Sequence, residues 1–155
     1  MIRFLPYDAS FVATIRAGGP NAYGRPAERF ASDGAGLPCR SCLRHVPKGA
    51  GALVLAARPF PEPQPYAETG PIFLCAEPCE PWEGDGVPPI LRTAPDYLLK
   101  GYSAAHRIVY GTGRVVAGDE VESYAEEVLG RPEIAYIDVR SARNNCFQTR
   151  IVRTA

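Results

Sequence analysis

The apolar positions of this chain fall into short runs whose spacing separates strands from helices. Ala52-Leu53-Val54-Leu55-Ala56-Ala57 and the stretch from Pro71 to Ala76 are continuous apolar runs bounded by turn residues, the pattern of short strands covered on both faces. Met1 to Leu5 alternates and predicts an opening strand. Asp8 stands at an N-cap position before Phe11, Val12 and Ile15, which predicts a short N-terminal helix ended by Gly18-Gly19-Pro20. The clearest helix runs from Glu120 to Leu129. There Val121, Tyr124, Ala125, Val128 and Leu129 follow the i, i+3, i+4, i+7, i+8 spacing, Asp119 and Glu122 have a capping-box separation, and Gly130 and Pro132 end it.

Further strands are predicted at Tyr97 to Tyr102 and at Arg107 to Tyr110, with Gly111-Thr112-Gly113 as a tight turn into Arg114 to Ala117. Ile134 to Arg140 and Cys146 to Arg153 read as an antiparallel pair joined by Ser141 to Asn145, residues that accept left-handed turns. Asn21 to Pro38 reads as a surface connection with one helical turn around Ala27 to Ala31. Links of three and five residues are too short for parallel crossovers. The expected fold is therefore α+β, one domain over residues 1–155, with a largely antiparallel sheet, two helices and many Pro- and Gly-rich loops.

Composition sharpens this picture at three points. Sixteen prolines, with Pro59, Pro61, Pro63 and Pro65 at every second position, remove backbone donors and force an extended, unpaired path. That segment is either a tied-down loop or a docking strip for a proline-reading partner, with the loop favoured because Tyr66-Ala67-Glu68 follows at once. Seventeen basic residues balance seventeen acidic ones, so no broad basic field supports a nucleic-acid partner. No apolar run has the length of a signal peptide or a membrane span, so a cytoplasmic protein without a membrane partner is expected.

Four of the five cysteines form two local pairs, Cys39/Cys42 and Cys75/Cys79, each with the two- or three-residue gap that lets one loop supply two thiolates to a tetrahedral metal. Zinc is the cofactor such pairs allow. Against it, 32 residues (43–74) separate the pairs, no glycine follows Cys42 at the usual knuckle turn, and Cys75 lies on an apolar strand where cysteine is often a small hydrophobe. Spacing alone thus favours separate buried or loop thiols, then structural zinc, then a catalytic dithiol activated by Arg40, Arg44 and His45. His45 is also an alternative metal ligand.

A second constellation is Arg140, Arg143 and Asn145 beside Cys146, with Arg150 further along the strand. Guanidinium and amide groups at a hairpin end suit a carboxylate or phosphate. Asp138 is equally placed to take one of these arginines into a surface ion pair. Arg107 and Tyr110 flank the Gly-Thr-Gly turn, which joins strands and does not open a helix as a dinucleotide-binding turn must. Glu68 is the candidate general base, and Cys39 and Cys146 are the other catalytic candidates.

Pro38-Cys39-Arg40 with Cys42-Leu43, Pro65 to Phe73, Cys79, Gly101-Tyr102, Arg107 to Gly111, and Tyr136 to Arg140 with Ala142, Arg143 and Cys146 together resemble a family of small bacterial proteins known only as a domain of unknown function. The resemblance implies a soluble bacterial protein and brings no activity, cofactor or catalytic residue. Cys75 departs from the family pattern.

Three functional readings follow. In the first, a pocket gathers Cys39, Arg40, Tyr66, Glu68, Arg107, Tyr110, Arg140, Arg143 and Cys146 around a small anionic molecule, as a binding protein or an enzyme. In the second, a zinc-stapled, non-enzymatic interaction module uses the proline-rich edge and Trp82. A thiol redox protein is the third.

Overall fold

The computed structural model describes all residues, 1–155, as an α+β fold with two antiparallel sheets. In chain order the elements are β1 (Ile2–Leu5), α1 (Ala9–Arg16), β2 (Glu28–Ala31), β3 (Gly51–Ala57), β4 (Gly70–Cys75), β5 (Asp96–Tyr102), β6 (Arg114–Ala117), α2 (Val121–Leu129), β7 (Tyr136–Ser141) and β8 (Phe147–Arg153). The larger sheet runs β1-β8-β7-β5-β6 and the smaller β2-β3-β4.

The amphipathic stripe of α2 explains the first face of the larger sheet. Val121, Tyr124, Ala125, Val128 and Leu129 are all buried. They pack with Leu99 of β5, Ile137 and Val139 of β7, and Ile151 of β8. Burying each large apolar side chain contributes about 1.5–3 kcal/mol. The phenols that enter this core keep acceptors: Tyr124 donates to the carbonyl of Thr112 at 2.8 Å and Tyr97 to that of Ile90 at 3.1 Å.

The opposite face is unusual because it is polar and yet covered. Along β7, Tyr136, Asp138 and Arg140 alternate with Ile137 and Val139, and every one of the five is buried. Register places Lys100 opposite Asp138, Tyr102 opposite Tyr136, and Arg150 on the other side of Asp138. The cover is the proline-spaced connector from β3 to β4. Its Phe60 is buried against Tyr102 and Tyr136, and the carbonyl of Pro59 accepts from Arg150 Nη2 at 2.7 Å. A proline strap suits this place: it has few N–H groups to leave unsatisfied but keeps all its carbonyls, which arginines can use.

The smaller sheet packs with α1, whose Val12 and Ile15 join Leu53, Leu55, Ile72, Leu74 and Phe147 in a second core. The Asp8 side chain caps α1 by accepting from the Phe11 N–H at 2.9 Å.

Four expectations are corrected. The antiparallel strands divide into two sheets. Residues 28–31 form β2 against β3 instead of a helical turn, because pairing with Leu53 and Val54 outweighs a local preference for helix. Arg107 to Tyr110 is no strand: only Ile108 bridges Tyr102, and β6 pairs directly with β5, so residues 103–113 are one long hairpin loop. Asp119 does not cap α2. A 3-10 turn over Gly118–Glu120 leads into the helix, and no side chain caps it.

Leu99 of β5 is fully buried in the core that α2 covers. Leu99→Ala is expected to lower the stability by about 2–5 kcal/mol with an unchanged denaturant slope, measured by urea unfolding.

Candidate functional site

The smaller core is closed by a cysteine cluster. Cys39 and Cys42 come from a turn whose flanks are joined by the Pro38–His45 bridge, with Leu43 N–H donating to Cys39 O at 2.9 Å and Cys39 N–H to Arg44 O at 2.9 Å. Leu43 takes φ +54°, the left-handed conformation that glycine usually supplies. Its side chain is fully buried, and burial of a leucine, about 1.5–3 kcal/mol, offsets a left-handed cost of about 1–2 kcal/mol. Cys75 ends β4 and Cys79 lies four residues on. Register binds the two halves: Arg40 N–H donates to Phe73 O at 3.1 Å, and Cys39 bridges Phe73 in parallel.

The sulfurs of Cys39, Cys42, Cys75 and Cys79 all lie within 4.8 Å of one another, close enough to hold a metal ion. Cys39 and Cys79 are 3.8 Å apart, the sulfur separation of a tetrahedral site with metal–sulfur bonds of about 2.3 Å. The expectation of separate thiols is therefore overturned, and His45 stands outside the cluster with its Nε2 against Thr93 Oγ1 at 3.3 Å.

Hydrogen bonds surround the sulfurs as they surround metal thiolates. Cys75 N–H points at Cys39 Sγ at 3.2 Å. Arg16, in the last turn of α1, donates to Cys79 Sγ at 3.1 Å and to Cys75 O at 3.1 Å. The Cys39 thiol is pulled down by hydrogen bonds from the Cys42 and Cys75 thiols and from the Cys75 N–H. The neighbouring Cys39 pushes Cys75 up and Cys42 up to about 12. One thiolate thus opposes the next, and four ionise together only around a cation. Arg16 was not legible as a partner, because an arginine in the last turn of a helix is already explained by the helix dipole.

The other candidates do not converge on one site: Glu68, Arg140 and Asn145 meet at the charged layer under the strap, and the rest lie in separate groups. Glu68 lies 2.9 Å from Lys100 Nζ and 3.1 Å from Arg140 Nη1, and accepts from Asn145 Nδ2 at 3.3 Å. Arg140 Nη1 also donates to Asn145 O at 2.9 Å, while its Nε and Nη2 and the Tyr102 hydroxyl are buried without a protein acceptor. Tyr66 and Tyr110 meet hydroxyl to hydroxyl at 3.0 Å near the surface, with the Arg107 guanidinium 5.5 Å over the Tyr66 ring. Arg143 lies apart, exposed and paired with Asp96 at 2.6 Å. Arg40 is buried, donating through Nε to Phe147 O at 2.7 Å and through Nη1 to Pro38 O. Cys146 belongs to the hairpin turn, where its N–H donates to Ser141 Oγ at 2.9 Å. Trp82 packs against the α2 core under the Arg44 guanidinium.

Asp138 takes an arginine, but in the interior. Arg150 forks onto it, Nε to Oδ1 at 2.7 Å and Nη2 to Oδ2 at 3.0 Å, with its guanidinium carbon 3.8 Å from the Tyr136 ring centre. Burial pushes the Asp138 carboxyl up and Arg150 opposes that. Tyr136 in turn meets His106 Nδ1 at 2.9 Å, and His106 holds φ +62°.

A cavity of about 610 Å³ lies beside this layer, between the β1–α1 connection and the strap. Its lining includes Tyr7, Arg58, Phe147 and Arg150; of the arginines and tyrosines named from sequence only Arg150 is among them. Arg58 and Tyr7 were missed because an isolated arginine and an isolated tyrosine carry no spacing signal.

These features define an α+β protein with a four-thiol cluster able to hold a metal. The chain belongs to the family described as protein of unknown function DUF1203, whose model matches residues 36–153 and so spans all four clustered cysteines. No curated protein and no solved structure matches the chain. No helix is long and apolar enough to cross a membrane.

Removing the Asp138 carboxylate leaves the largely buried Arg150 charge without a counter-ion. Asp138→Ala is expected to lose about 3–5 kcal/mol in chemical denaturation. Glu68 gives a pH signature. Burial raises its carboxyl, but the Lys100 hydrogen bond and the Arg140 and Lys100 charges outweigh that and hold it below the ordinary 4.5. A depressed folded pKa adds stability that is complete above the unfolded value and fades as pH falls through the folded one. The stability gap between wild type and Glu68→Gln, about 1–2 kcal/mol because Glu68 is partly solvated, should be flat above pH 4.5 and shrink below it.

Proposed function

We propose that the protein is a zinc-stapled ligand-binding domain: one zinc ion held by Cys39, Cys42, Cys75 and Cys79 serves as a structural cross-link, and the chemistry of the protein lies away from it. The observation that carries this reading is the approach of four thiols from two distant knuckles to within 4.8 Å. Thiolates select zinc over the hard cations, and a site with four protein ligands leaves no open position for water or substrate. The staple ties the Cys39–Cys42 turn to the end of β4 and, through Arg16, to the end of α1. A catalytic dithiol suits the geometry less well, since both halves of each cysteine pair face the same cluster instead of leaving one thiol free to attack.

Purified protein is expected to carry about one zinc per chain. Removing it with a chelator should cost at least about 3 kcal/mol, a Tm lower by roughly 6–12 °C. Thiol titration of the zinc form should find Cys146 reactive and the other four protected. The metal content and chelator response of the wild type decide the matter without a cysteine variant: full stability without metal overturns the staple.

A further inference from the structure

We propose that the cavity between the β1–α1 connection and the proline strap binds a small organic acid, its carboxylate held by Arg58 and Arg150 and its planar apolar body lying against Tyr7, Phe11, Phe60 and Phe147. This inference deepens the ligand-binding half of the reading above and is independent of the zinc. Its volume, about 610 Å³, is in the range of small-molecule pockets.

Both guanidiniums are held in place before any ligand arrives. Arg150 is fixed on one edge by Asp138 and Pro59 O and clamped over Tyr136, yet 21% of its side chain stays exposed, and it lines the cavity. Arg58 is held by the carbonyls of Phe60 at 3.2 Å and Pro61 at 3.5 Å, neutral acceptors that fix its direction and leave its charge uncompensated. Ordered guanidiniums of this kind suit the two oxygens of a carboxylate, because the loss of side-chain freedom on binding is small.

The walls are aromatic and braced against one another. Tyr7 meets Phe11 at 5.3 Å, tilted by 50°, and Phe147 edge-on at 5.8 Å. Burial pushes the Tyr7 hydroxyl up to about 12, so it remains a protonated donor beside the two arginines. Asp8, the one acid of the lining, is exposed, and its carboxylate caps α1. The larger hollow beside Tyr23 and Arg25 offers no comparable arrangement, because Tyr23, Arg25 and Glu28 on its walls are exposed side chains.

The test titrates the full chain with benzoate and, in parallel, with the neutral isostere benzamide, with acetate and with inorganic phosphate, following the arginine Nε–H and aromatic signals by NMR. Benzoate should saturate in the roughly millimolar range that suits about nine heavy atoms and shift the Nε–H signals of Arg58 and Arg150. Benzamide, acetate and phosphate should each bind at least about tenfold more weakly, since each lacks either the charge or the ring. Arg58→Gln should weaken benzoate about tenfold with an unchanged Tm, and Arg107→Gln, outside the cavity, should leave it unaltered. No saturable shift with benzoate, equal affinity for benzamide, or an unaffected Arg58→Gln overturns the proposal. Metal content is measured on the same samples: benzoate binding by metal-free protein overturns only the staple, and zinc-loaded protein without binding overturns only the pocket.

Discussion

The Asp138–Arg150 pair is the constraint around which the larger sheet is arranged. A fully buried carboxylate on a central strand requires a compensating charge with good geometry, and Arg150 supplies it from the neighbouring strand through two hydrogen bonds. That guanidinium brings its own demands. One is met by the Tyr136 ring and another by the carbonyl of Pro59. The connector from β3 to β4 therefore lies across the sheet because the sheet's charged groups need acceptors there. Glu68, further along the same connector, repeats the arrangement for Lys100 and Arg140.

This layer also shows where sequence reading stops. The stripe of α2, the cap of α1, and β3, β4, β7 and β8 were legible because each writes its periodicity locally. Period two along β7 separates Ile137 and Val139 from Asp138 and Arg140, but a polar face reads as solvent-facing, and nothing local says that a strap from 70 residues earlier will cover it. Residues 28–31 and 107–110 failed for a related reason. Whether a short segment with weak preferences pairs is decided by the partner strand that reaches it, Leu53 and Val54 in the first case, and β6 bypassing the second.

The cysteines divide in the same way. Each pair was visible from its spacing, whereas their meeting depends on β3 and β4 forming a hairpin that carries Cys75 back beside Cys39. The missing glycine after Cys42 weighed against a knuckle on the ground that left-handed backbone disfavours a side chain. Leu43 adopts it nevertheless, since a buried leucine contributes as much as the backbone conformation costs. Local rules state a preference, and packing decides it.

The cluster and the strap are coupled by the chain itself. The strap leaves β3 after Ala57 and re-enters the sheet at Gly70, and β4 runs from there to Cys75 in the thiol cluster. Arg58 and Phe60 at the start of the strap form cavity wall, while its far end is anchored through β4 to the sulfurs. Arg150 holds the strap at its start, through the Pro59 carbonyl, where residues 58–61 face Tyr7 and Phe147 across the cavity. The ion pair beneath the strap therefore holds the cavity wall: Arg150 presents its guanidinium from β8 and anchors through Pro59 the segment that carries Arg58.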